Sequence, residues 1–428
     1  MALKYCQTID ISSFPIKDIK IKMLNWIKQF SIFSYLDNNN YTNLYNRYEL
    51  LIAADAYEDL KITTLSVLSE QVGQGWLFGH FNYDLKNTLY PSLQSAHPAY
   101  FKNEPVQFFR PKVVAYIPYG TSRLVIESEG TMPELIWQQM MLEAAIIGSE
   151  SFPEIKFTRN CSPAQYLSLV EQVKVQLREG NCYELNLCVG AYATAVAIDP
   201  VSVFDALNRH NPAPFACLYR QAQHWLMSSS PERFLYKESE VIIAQPMKGT
   251  IRRGSDEAED EAQKIKLLED QKERAENVMI TDLMRNDLAK SCRAGSITVP
   301  ELFGVYTFPS LHTMVSTVKG ILKDKTKPLE ALLAAFPMGS MTGAPKHIVM
   351  QIIESLEQSK RELYSGAVGY FSPDGDFDFN VVIRSLLYHE QEKMLSYHTG
   401  GAITIDSVPE QEWEEVLLKS KALENLFL

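Results

Sequence analysis

The 428-residue sequence has no apolar run approaching the ~18–20 residues needed for a membrane-crossing helix. Its first residues, MALKYCQTIDISSF, have no apolar leader core. None of the six cysteines, Cys6, Cys161, Cys182, Cys188, Cys217 and Cys292, belongs to a C-x-x-C pair. Neither a zinc ribbon nor a dithiol redox motif is therefore indicated. Scattered thiols suit a reducing compartment, and the expected location is the cytoplasm. Positive charge is also scarce: 41 Lys and Arg stand against 52 Asp and Glu, a formal net charge of −11. That balance excludes a nucleic-acid backbone binder, so neither a nucleic acid nor a membrane is an expected partner. An anionic ligand would need positive charge gathered locally, by a metal or by a few Lys and Arg. Internal repeats and low-complexity tracts are absent too. What is present is an ordinary globular composition, 46% hydrophobic and 22% charged, in a chain long enough to bury a large core unaided.

Residues 1–150 read as mixed, with short apolar runs such as Lys112 to Ile117 and no reactive constellation. The polar, proline-containing stretch 150–162 marks a seam and divides the chain into regions 1–150 and 151–428. Ser162-Pro163-Ala164-Gln165 opens a helix, with a Ser cap, Pro in the first turn and Gln three residues after the cap. Strands are expected over 182–189, 241–247, 365–371 and 394–398, and one strand over the alternating 376–386. Ser372-Pro373-Asp374-Gly375 is a hairpin turn. Helices are expected from about 255 to 290 and over 343–357 and 409–425. Short strand connections predict an α/β (α+β) fold: a large sandwich of mainly antiparallel sheets with helices packed outside.

Several stretches could carry chemistry. Glu412, Glu415 and Lys419 share one face of the last helix, where two carboxylates can hold a hard divalent ion such as Mg2+. The plainer reading is a solvated charged face. Glu276 lies in a helix whose charges interleave with Val278, Met279, Leu283 and Met284, so some charges must be buried and either paired or bound to metal. Lys248, in PMKGT, ends a strand where Gly249 lets a ligand approach. A desolvated lysine there can be a nucleophile, whereas an exposed one is only a turn residue. Glu232, in SSPER, is a strand-end carboxyl suited to general acid work if burial raises its pKa. Ser340 and Thr342 lie in a small-residue loop feeding a helix start, a natural anion seat. Gly400-Gly401 could offer backbone N–H groups, and Arg384 could grip a carboxylate through two hydrogen bonds. Each has a plain alternative as a turn or a surface residue. Their joint occurrence in this order is more telling.

From about residue 160 to 425 the sequence resembles the chorismate-binding catalytic domain. The resemblance rests on CYELNL (182–187), NPAPF (211–215), SSPERF (229–234), PMKGT (246–250), RAENVMITDLMRNDL (274–288), FPMGSMTGAPK (336–346), YSGAVGYFS (364–372), VVIRSL (381–386) and EWEEVLLKS (412–420). Within that family the sequence is most similar to the aminodeoxychorismate synthase branch. Anthranilate synthases carry alanine in a PIAGT motif where this chain has Lys248. The resemblance implies that chorismate and ammonia give 4-amino-4-deoxychorismate, with ammonia supplied by a separate glutaminase subunit in a heterodimer. It implies Mg2+ on Glu276 and Glu415, with Glu412 acting through water. Arg384, Tyr364, Lys419, Gly400, Gly401, Thr250, Ser340 and Thr342 are implied as substrate-binding positions. Lys248 is implied as the nucleophile at ring C2 and Glu232 as the acid on the C4 hydroxyl. Such a lysine must be neutral, which calls for desolvation or nearby cations such as Lys346.

Three positions depart from the family pattern. Thr313 occupies a usual His position, with His312 one residue earlier, which leaves open whether His312 reaches the ring. Glu184 stands where amine-transferring members usually have Gln and water-adding members have Lys, and its role is open. Ala402 replaces a glycine. Two alternatives compete: anthranilate synthase component I, and a non-catalytic relative. The second should have lost the acid, the nucleophile or the metal carboxylates, yet Glu232, Lys248, Glu276 and Glu415 are all present.

Overall fold

The computed structural model describes all residues except 1–2, 43–44, 58–61, 96, 149–151 and 310. Among the described residues the strands form two antiparallel sheets, of twelve and nine strands. Five of the twelve strands of the larger sheet come from before residue 150, ending at Ile32–Asp37. That strand pairs with Phe215–Gln221, and the sheet continues through His224–Ser230, Ser385–His389, Met394–Ile403 and Glu184–Ala193. The second sheet likewise joins the early strands Leu77–Phe81 and Val106–Phe109 to Ala367–Phe371. Chain from both sides of residue 150 thus interleaves in both sheets. The opening of the 150–162 seam lies outside the described residues.

Strand alternation sorts the core into layers. Along Tyr48–Ala56, Leu50, Ile52 and Ala54 face an outer cluster with Trp26 and Phe204. Leu51 and Ala53 face inward to Phe78, Tyr370 and Leu387, between the sheets. The far side of the second sheet, with Phe81, Ile242 and Phe379, is covered by Met284 and Leu288 of one helix and Leu332 of another. Helices Pro163–Arg178, Lys346–Leu356 and Pro409–Glu424 pack on Leu185, Leu187 and Ile403 at the end of the larger sheet. The layers run helix, sheet, sheet, helix, as expected. The capping box at Ser162 and Gln165 is formed.

Three expected elements differ. The 376–386 stretch is two strands, Phe377–Asn380 in one sheet and Ser385–His389 in the other. Residues 381–384 cross between the sheets, and the cross ends at Arg384 with φ +50°. Phe377, Phe379, Val381 and Ile383 alternate with Asp378, Asn380, Val382 and Arg384, and the pattern runs on through the crossover because Val381 and Val382 meet core on opposite faces. The expected helix 255–290 is broken at Asp270, which ends Glu257–Glu269 and caps Gln271–Ser291 by accepting from Lys272 and Glu273 N–H groups. The expected strand 241–247 breaks at Pro246, and Met247–Arg252 starts afresh at the edge of the sheet.

Candidate active site

Glu232 and Arg384 occupy two neighbouring crossovers between the sheets. Pro231-Glu232 links His224–Ser230 to Arg233–Glu238, and residues 381–384 run beside it. The Ser230 hydroxyl donates to the Val381 carbonyl at 2.6 Å, and Ser229 N–H to the Arg384 carbonyl at 3.2 Å. Burial pushes the Glu232 carboxyl up to about 7, against the opposing pull of Ser340, Lys248, the Met247 N–H and Arg384. The Ser340 hydroxyl facing it makes no close hydrogen bond. Burial lowers the Arg384 pKa, and Tyr41 and Glu232 are its electrostatic neighbours. Tyr41, from a loop of the first region, carried no sequence signal.

Lys248 follows the Pro246 break on the edge strand Met247–Arg252. Its ammonium donates to Glu184 Oε1 at 2.7 Å. Burial pulls the amine's pKa down, but Glu184, Glu276 and Glu232 outweigh it and hold the pKa above the ordinary lysine value. The cation expected beside it is elsewhere: Lys346 is bound to Asp287 and to the Ala335 carbonyl. Of the two expected surroundings for this amine, burial is met and a cationic neighbour is not: Nζ faces Glu184, and Lys346 is tied up elsewhere.

Helix Gln271–Ser291 is pressed onto the lysine's strand at Gly249, φ +87°, where an added Cβ would stand 3.0 Å from Glu273 Oε2. Asn277 fastens the same contact, donating to the carbonyls of Lys248 and Met314 and accepting from Ser316. Glu276, one turn beyond Glu273, is pushed up to about 7 by burial, Lys248 opposing. Its nearest cation is Lys272, 3.9 Å away. The sequence reading does not single out Glu273, whose i, i+3 spacing from Glu276 is the available signal.

On the last helix, Lys419 donates to Glu415 at 2.6 Å and to the Gly400 carbonyl at 2.8 Å. Burial raises the Glu415 pKa, but Lys419, Lys248 and Lys272 together bring it below the ordinary value. Burial also raises Glu412. A Cβ on Gly401 would lie 3.3 Å from Glu412 Oε2 and 3.7 Å from Glu415 Oε1, so the missing side chain keeps open the space beneath both carboxylates. Tyr364 is buried, stacked on His398 with ring centroids 5.3 Å apart. Its hydroxyl is 4.0 Å from Cys188 Sγ, and Cys188 pairs with Gly400 across the strands.

Other expected residues stand apart. The Thr342 hydroxyl is spent within its own turn, on the carbonyls of Met338 and Gly339. Thr250 is exposed beyond a register shift that breaks alternation with Lys248. His312 points to Asp260 and Thr307, while its strand neighbour Thr313 donates to the Gly249 carbonyl. Alternation sends the two side chains to opposite faces, so His312 is a fastening between elements and does not turn toward Lys248.

Among the described residues no three carboxylate, imidazole or thiol groups come together closely enough to hold a metal ion. None of the described helices is long and apolar enough to cross a membrane. The buried acid, the strand-end lysine and the carboxylates of two helices nevertheless lie within electrostatic reach of one another.

Residues 27–425 match the family described as chorismate binding enzyme. This chain belongs to that family. The chorismate-binding enzyme is 44% identical over 272 residues to an Arabidopsis thaliana protein named aminodeoxychorismate synthase, chloroplastic, a match covering 63% of this chain and 29% of that one. It is 38% identical over 308 residues to aminodeoxychorismate synthase component 1 of Escherichia coli K12, covering 70% and 67%. The chain thus spans under a third of the plant relative and two thirds of the bacterial one. Anthranilate synthase component I from Streptococcus pneumoniae has the same fold, with a TM-score of 0.74, 23% identity and 92% of each chain covered.

Proposed function

We propose that this enzyme converts chorismate and ammonia to 4-amino-4-deoxychorismate through a covalent adduct on Lys248. The single observation that carries the reading is Lys248, its side chain only 12% exposed, with Glu184 hydrogen-bonded to Nζ and Glu232 among the charges that face it. Lys248 Nζ attacks ring C2, both ring double bonds shift by one position, and the C4–O bond breaks. Glu232 gives its proton to the departing oxygen, which leaves as water. A carboxyl raised to about 7 by burial is still partly protonated at neutral pH and suited to that task. Ammonia then adds at C4 and expels the lysine. Arg384 and Lys419 would hold the two substrate carboxylates, with Tyr364 and Gly400-Gly401 as further contacts; in support, Arg384 lies beside Glu232 and Lys419 is bound to the Gly400 carbonyl.

Glu276, Glu415 and Glu412, which do not close into a metal cluster by themselves, would hold Mg2+ together with water and substrate oxygens. They offer oxygen donors only, and the space under Gly401 suits an ion that keeps waters and shares its shell with substrate. When bound, the ion supplies positive charge opposite a substrate carboxylate, which answers the deficit of −11. A separate glutaminase subunit is the proposed ammonia source and the cytoplasm the proposed location.

Incubation with chorismate, Mg2+ and ammonium salt tests the reading. Aminodeoxychorismate should accumulate and give 4-aminobenzoate only after a lyase is added. Fluorescent anthranilate as the product would overturn it.

A further inference from the structure

The reaction proposed above needs Lys248 as a free amine, yet Nζ donates to a carboxylate 2.7 Å away, the contact an ammonium makes. Three carboxyls surround it: Glu184, Glu276 and Glu232. Only Glu184 is hydrogen-bonded to Nζ, at 2.7 Å. Glu232 starts the reaction carrying the proton it must give to the leaving oxygen. Glu276 stands with Lys272 on its own helix.

Glu184 has two further properties. It is fully buried, 0% exposed. Its second oxygen, Oε2, is also buried and has no hydrogen-bond partner. A proton arriving at that oxygen would displace no existing hydrogen bond. The backbone cannot drift away from the lysine. Glu184 and Leu185 pair with Ala344 and Gly343, and Gly343 packs so closely that a Cβ there would meet the Glu184 carbonyl.

We propose that Glu184 is the catalytic base that unmasks Lys248. One proton passes from Nζ to the Glu184 carboxyl, and the pair becomes amine and acid. The freed lone pair forms the bond to C2, while Glu232 protonates the departing C4 oxygen. After ammonia attacks C4 and the C2–N bond breaks, the released Nζ recovers its proton from Glu184. The extra proton on the new amine passes to the Glu232 carboxylate, and every group returns to its starting state. The overall change is loss of the C4 hydroxyl as water and gain of an amino group.

This inference rests on the covalent reading, and the test separates the two. The full chain with Mg2+ and chorismate, without ammonia, is quenched at successive times, and the Lys248 adduct is counted by mass spectrometry. Glu184→Gln keeps the shape but cannot take a proton, and the adduct should form about 100-fold more slowly, with half-saturating chorismate unchanged. In Glu184→Ala, added formate should restore the rate at least about 10-fold and neutral formamide should not. An adduct rate in Glu184→Gln equal to or above the original would overturn the base. Rescue by both additives, or by neither, would reduce Glu184 to a shaping role and overturn it equally. Absence of any adduct in the unaltered enzyme would overturn the covalent reading and the base together.

Discussion

Val381 donates its N–H to the carbonyl of Glu232 at 3.0 Å, joining the two crossovers that carry the chain between the sheets. The bond sets Glu232 and Arg384 side by side in a place that no regular strand could offer. Burial there raises the Glu232 carboxyl to about 7.

Removing this acid should therefore stabilise the protein while destroying its activity. A carboxyl with a raised folded pKa contributes stability that is fully present below its unfolded value, near 4.5, and is lost as pH rises through about 7. Glu232→Gln carries no such loss. At pH 8 it should be more stable by on the order of 2–3 kcal/mol, and the gain should vanish near pH 4. Denaturant midpoints across that range check this. In the unaltered enzyme, turnover should fall as pH rises above about 7, because the acid works in its protonated form. A Glu232→Gln stability difference independent of pH would contradict the account.

The Lys346–Asp287 pair should be structural. Asp287 is 1% exposed and also takes Lys290 at 2.9 Å, so it holds two cations at the foot of helix Lys346–Leu356. Lys346→Met leaves a buried carboxylate short of a partner and should cost about 3–5 kcal/mol. Lys346→Met combined with Asp287→Leu should recover much of that. The check is urea unfolding of both variants. Equal losses in the single and double variants would rule out an uncompensated charge as the cause.

Much of this was legible in the chain, for reasons that differ between residues. Helix caps and turns are local chemistry, so Ser162 with Gln165 and the turn before Phe377 could be read directly. The face shared by Glu412, Glu415 and Lys419 follows from helical spacing alone. Crossovers are another matter: Val381 to Arg384 keeps strand alternation while changing sheets, because both of its faces meet core. Partners distant in sequence were also hidden. Nothing near Lys248 announces Glu184, 64 residues earlier, and nothing near Lys346 announces Asp287.

Chelation should abolish turnover, and Mg2+ should restore it. Glu276→Gln removes one charged oxygen donor and should weaken activation by Mg2+ by roughly 10–100-fold or more. The same change also removes an anion facing Lys248. The informative measurement is therefore Mg2+ binding by calorimetry, with activity as a second readout. Unchanged Mg2+ affinity in both Glu276→Gln and Glu415→Gln would remove these helices from the metal site.

Gly343 gives the most local test of how the fold sets the chemistry. It has φ +138°, and an added Cβ would lie 2.1 Å from the Glu184 carbonyl oxygen and 2.9 Å from its carbon. Those are backbone atoms of a strand paired on its other side with Met394–Ile403, so they have nowhere to retreat. Gly343→Ala should cost roughly 2–5 kcal/mol, combining overpacking with backbone strain. It should also cut turnover sharply, because the atoms displaced are those that aim Glu184 at Lys248. Gly120→Ala is the matching control: its φ is +73°, and no atom lies within 4 Å of the added methyl. Only the left-handed backbone penalty remains there, about 1–2 kcal/mol, with turnover unchanged. Paired unfolding and rate measurements decide between them. If Gly343→Ala costs no more than Gly120→Ala and turns over normally, the close strand contact is not what positions Glu184.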